Sequence, residues 1–130
     1  MTTRVVAGLA LVLALVSCSQ APRARTCEEL DGVRSAVQNL RNVNLSENGL
    51  VALDTALTQI ETELEMLRAD LSADLRPHAD AVAASVDKLR NNVAEARSNP
   101  TSTTLAAVQA GLQQLRMTVK DLGAAVSQIC

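Results

Sequence analysis

From Leu50 to Leu71 the apolar residues Leu50, Leu53, Leu57, Ile60, Leu64, Leu67 and Leu71 follow one another at spacings of 3 and 4 without a break. That period puts all seven on one face of an α-helix, and a seam so long marks helices packed side by side. The same alternation returns in Leu105, Val108, Leu112, Leu115, Val119, Leu122, Val126 and Ile129. Two shorter seams complete the set: Leu30, Val33, Val37 and Leu40, then Val82, Val86, Leu89, Val93 and Ala96. No run alternates with the period of a strand, and no Asn-Gly or Asp-Gly turn lies between strand-like runs. The chain therefore reads as all-α, an antiparallel (up-down-up-down) four-helix bundle.

The breaks between seams carry start and stop signals. Thr26 and Glu29 have the spacing of a capping box before the first seam, so the first helix is expected from Cys27. Asn42, Asn44 and Ser46 interrupt the pattern, and Ser46 can cap the second helix. "RSNPTSTT" at 97–104 supplies Ser and Thr caps for the fourth. Pro77 costs about 3 kcal/mol inside a helix but is tolerated in a first turn. A turn is therefore favoured there, although two helices running straight through Pro77 as a rod would satisfy the same seams. Folding the second and third stretches together sets Glu61 opposite Arg90 and Asp54 opposite Arg97. The first hairpin makes a rival claim on Asp54 for Arg34, so charge pairing does not choose between the arrangements.

Ahead of this domain lies MTTRVVAGLALVLALVSCSQAPR. Arg4 is the one charge before Arg23, and Val5 to Val16 are apolar or glycine. Twelve such residues fall short of the roughly 20 that span a bilayer. A charged start, a short apolar run and then small residues describe a secretory signal peptide. Its end, Leu15-Val16-Ser17-Cys18, resembles the lipobox of bacterial lipoproteins. The resemblance implies cleavage before Cys18, fatty acyl groups such as palmitate on that residue, and a place on the bacterial cell membrane facing outside the cytoplasm. One acyl chain holds a protein marginally and two or more hold it stably. The chain then divides into a signal peptide at 1–17, a lipidated tether at 18–26 and a helical bundle domain at 27–130. Beyond Cys18 it resembles in style the small, Ala-rich, all-helical lipoproteins of actinobacteria, a likeness that carries no site residue.

Cys27 and Cys130 remain. With an even number of antiparallel helices the chain returns to its starting end, which brings the two thiols together. A protein exported from the cytoplasm lies where such a pair oxidises, so a Cys27–Cys130 disulfide is expected. The rod also brings them near each other, so the pairing does not fix the architecture.

Composition narrows the chemistry. Loss of residues 1–17 removes Arg4 alone, leaving 11 basic against 14 acidic residues and a net charge of −3. This argues against nucleic acid as a partner, which calls for clustered Lys and Arg. The chain has no Phe, Trp or Tyr, which excludes base stacking, cation cages and aromatic anchors. His78 is the single histidine and follows Pro77 at a turn. Glu61, Glu63, Glu65, Asp70 and Asp74 could suggest a cation site, but bundle metal sites project their ligands inward, where this seam has Leu and Ile. No catalytic residue, cofactor or metal is expected. The expectation for function is a non-enzymatic, membrane-anchored spacer or protein-interaction module of the cell envelope. Ala81, Ala83 and Ala84, or Ala106, Ala107 and Ala110, are the flanks where a partner helix could approach closely. The alternative is a carrier of a small apolar ligand held between the helices, to which Gly111 and Gly123 give a hint.

Overall fold

The computed structural model describes residues 21–40 and 45–130. The lipobox, Cys18 and the signal segment lie outside them. Four helices make up the fold: α1 (Ala21–Asn39), α2 (Glu47–Asp70), α3 (Arg76–Ser98) and α4 (Ser102–Val126). There is no strand among the described residues, and no described helix is long and apolar enough to cross a membrane. Each helix packs on its sequence neighbour, and α1 closes the set against α4.

The core is the four seams brought together. Leu30, Val33, Val37 and Leu40 of the first are buried, as are all seven residues from Leu50 to Leu71. Val82, Val86, Leu89, Val93 and Ala96 join them, with Val108, Leu112, Leu115, Val119, Leu122 and Val126 from α4. Ala79 extends the third seam by one turn. Burial of this many Leu and Val side chains, at about 1.5–3 kcal/mol each, is the main source of stability. Gly111 lets α3 and α4 close tightly, since a Cβ there would stand 2.9 Å from Leu89 Cδ1.

The helix ends follow the local chemistry with two corrections. Ser46 caps α2, accepting from the Gly49 amide at 3.4 Å. Thr101 and Thr104 form a reciprocal capping box on α4, at 3.1 Å and 2.9 Å. Helix α1, however, begins at Ala21 rather than Cys27, so residues 21–26 of the expected tether are helical. Thr26 sits inside that helix, 2% exposed. Pro22 is the reason: it stands in the first turn, where Pro is pre-set for helix, and Ala24 and Arg25 are good helix formers. At the other end α4 stops at Val126, where Ser127 donates from its hydroxyl to the Ala124 carbonyl at 2.7 Å. Ile129, the expected last residue of the fourth seam, falls in the following turn and is 36% exposed.

Pro77 marks an interruption rather than a kink. Helix α2 ends at Asp70, residues 71–75 intervene, and Pro77 lies in the first turn of α3. Helices α2 and α3 lie against each other, joined by Arg68–Asp80 at 2.7 Å and Arg90–Glu61 at 2.9 Å. Asp54 faces Arg90 at 3.8 Å and Arg97 at 3.9 Å. Its rival claimant Arg34 meets Asp31 on its own helix instead, at 3.9 Å. These pairs are half exposed and each contributes under about 1 kcal/mol.

Candidate functional site

Three regions carry the polar and small residues that could do work. The first is the end of the domain where α1 starts and the chain finishes. Cys27 and Cys130 are joined there, with a Cα–Cα distance of 5.9 Å. Two residues on from Cys27, the carboxyl of Glu29 lies beside that of Asp70 at the end of α2. Burial raises the Glu29 pKa above its ordinary 4.5, and the hydrogen bond to Asp70 and the charge on Asp70 raise it further; Arg25 opposes them. Two carboxyls can share a hydrogen bond only while one keeps its proton.

A pH dependence follows. The folded chain holds the Glu29 proton more tightly than the unfolded chain does. The stabilisation is therefore fully present below 4.5 and is lost as pH rises through the raised folded value. Glu29→Gln mimics the protonated form. Thermal melts between about pH 4 and about pH 8 should show the wild type losing stability with rising pH across the lower part of that range. The variant should decline less and should melt higher at neutral pH. Parallel curves for the two proteins would remove the carboxyl pair as the cause.

The second region is the α3–α4 flank. Ser85 is buried and donates to the Ala81 carbonyl at 3.1 Å, while the Thr118 hydroxyl donates to Ser85 Oγ at 3.1 Å. Asn92 Nδ2 donates to the Ala107 carbonyl at 3.3 Å. Of the alanines expected to receive a partner, Ala83 and Ala107 are half-buried, whereas Ala81, Ala84, Ala106 and Ala110 are exposed. The two groups are thus split between packing and free surface. A shallow recess here is lined by Ser85, Lys88, Asn92, Ala107, Ala110, Gly111 and Gln114.

The third is a groove of about 330 Å³ between α1 and α4, lined by Arg34, Val37, Gln38, Arg116, Val119 and Lys120. It lies on the least closely engaged of the four helix seams. Val37 and Val119, both 5% exposed, form its floor. The Arg34 guanidinium reaches across to α4 and fills the space a side chain at Gly123 would take. Periodicity located the valines. The three cations came from outside the seam, on two helices far apart in sequence, and no local signal joins them.

The acidic residues do not converge. Glu61 pairs with Arg90, Glu63 lies over Gly32 of α1 at 3.2 Å from where its Cβ would stand, and Asp70 meets Glu29. Glu65 and Asp74 are exposed, as is His78. Among the described residues no group of three or more His, Cys, Asp or Glu side chains could hold a metal ion. No protein-family model matches the chain, and no curated protein or solved structure is detectably similar to it.

Proposed function

We propose that the chain is a non-enzymatic lipoprotein of the bacterial cell envelope. It is anchored through lipid on Cys18, and its helical domain serves as a spacer or protein-interaction module. The observation that carries this reading is the aliphatic core, in which Leu, Ile, Val and Ala of all four helices bury one another. Such an interior is given over to packing, which leaves recognition to the outer faces. The exposed Ala81, Ala84, Ala106 and Ala110 permit close approach of a partner helix. The second reading, a carrier of a small apolar ligand, draws only on the looser engagement of α1 with α4, because the groove there is lined by three cations.

We further infer that the helices run up-down-up-down. The ion pairs support this: Arg68, Glu61 and Asp54 of α2, in falling order, meet Asp80, Arg90 and Arg97 of α3 in rising order. On this arrangement α1 starts where α4 ends, and the segment leading back to Cys18 leaves from the disulfide end. Small-angle scattering should give a maximum dimension of about 45 Å: the longest helix, of 25 residues, runs roughly 38 Å, and the turns and side chains at its ends add the rest. A value near 80 Å, roughly two such helices end to end, would mean a rod.

Function is tested in intact cells. Mass spectrometry of the membrane fraction should find the chain beginning at an acylated Cys18, and cross-linking should recover reproducible protein partners. An unmodified Cys18 sinks the anchor. A co-purifying apolar ligand without protein partners sinks the module in favour of the carrier.

A further inference from the structure

The cationic groove between α1 and α4 is a feature that neither packing nor a protein-docking role uses. The full chain is net acidic at −2, yet this recess is lined by Arg34, Arg116 and Lys120 with no carboxylate among its lining residues. Arg34 has only Asp31, at 3.9 Å, on its exposed side. No ion pair to Arg116 or Lys120 occurs among the described residues. Arg116 is partly buried, and its Nε is shut away from solvent without a hydrogen-bond partner. A buried donor left unpaired is destabilising, more so when it carries charge, so an acceptor that reached this atom from the groove would be favoured. Like charges brought together by two helices also repel, and an anion between them removes that repulsion. The recess stands at the lower end of the volumes that take small ligands, enough for a headgroup but not for a whole diacyl lipid.

We propose that the α1–α4 groove binds a phosphate group, with Arg116 and Arg34 as forked donors and Lys120 as a point charge at the rim. Guanidinium pairs bidentately with phosphate oxygens, and three cations from two helices suit a group that carries up to two negative charges. The phosphate has two sources, a soluble phosphate compound or the headgroup of an anionic phospholipid, and one experiment separates them. The proposal does not depend on the lipid anchor, because its readout is local to the groove.

The chain's only lysines are Lys88 and Lys120. Lys88 is exposed on α3, away from the groove, so it is an internal control. The full chain, mixed with phosphatidylcholine vesicles, is labelled with an amine-acetylating reagent, and each lysine is followed by mass spectrometry. Inorganic phosphate is titrated in one arm, and phosphatidylglycerol is added to the vesicles in the other. Labelling of Lys120 should slow saturably, with Lys88 unchanged. Arg116→Gln should weaken that protection about tenfold or more, the loss of one charge-assisted hydrogen bond. Arg34→Gln is the second variant should Arg116→Gln fold poorly. Protection by inorganic phosphate assigns a soluble ligand, and protection by phosphatidylglycerol alone assigns a lipid headgroup. Equal responses at both lysines, no protection in either arm, or protection unchanged by either variant would overturn the proposal.

Discussion

Cys130→Ser should lower the melting temperature by about 10 °C or more, and a reducing agent should do the same to the wild type. The bond closes a loop spanning 103 residues, nearly the whole domain. In the chain-entropy account a loop of about 100 residues is worth up to about 4–5 kcal/mol, and removal of native disulfides from small domains costs about 2–5 kcal/mol. For a domain near 110 residues, each kcal/mol moves the midpoint by roughly 4 °C. Cys130 is exposed and Cys27 only partly buried, so the substitution removes little packing and the effect belongs to the cross-link. The double variant Cys27→Ser, Cys130→Ser should therefore be no less stable than either single one. Differential scanning calorimetry of the four proteins checks this. Melting within about 2 °C of the oxidised wild type in every case would mean that α1 and α4 hold the terminus unaided.

That bond was legible from two facts in the sequence: four seams, and cysteines at the two ends of the domain. The seams themselves were legible because the apolar period depends only on a residue's own helix. Burial then follows for any helix that finds a partner. The same logic explains the misses. Ile129 keeps the period but lies past the point where Ser127 turns back on Ala124, and period says nothing about where a helix stops. Ala21 to Thr26 lack a seam, so they read as tether, although Pro22 and the residues after it favour helix. Asp54 had two claimants among cations with similar spacing. Arg97 prevailed over Arg34, and Arg90 joined it, because α2 and α3 pack together across the break at 71–75. The carboxyl pair Glu29–Asp70 and the cluster Arg34, Arg116 and Lys120 needed more. Each joins residues on different helices whose relative rotation and height are set by the packed core, and a sequence pattern carries neither. The proposed membrane anchor is different again: it rests only on the resemblance of Leu15 to Cys18 to a lipobox, and those residues lie outside the described ones.

The largest single-residue effect expected from the core itself is at Leu57. It lies inside the seven-residue seam of α2 and is 0% exposed. Leu57→Ala should cost about 3–5 kcal/mol, toward the upper part of the range for buried leucine, because the cost depends on how far the cavity can collapse. Two features resist collapse here. Methionine, the flexible residue that fills gaps, contributes nothing nearby: Met66 and Met117 are 50% and 59% exposed. Many of the core residues are valines, whose branched side chains are held to one helical rotamer. With no aromatic ring in the chain to swing into the space, the void left by the lost methyl groups should persist. Urea denaturation should show the midpoint falling with the slope unchanged, as expected when stability alone is lost. Val51→Ala on the same helix, at a position 44% exposed, should stay within about 0.5 kcal/mol of the wild type. If Leu57→Ala costs under about 1 kcal/mol, the centre of the bundle repacks as loosely as a molten core. The groove between α1 and α4 could then no longer hold three cations at fixed positions around one anion.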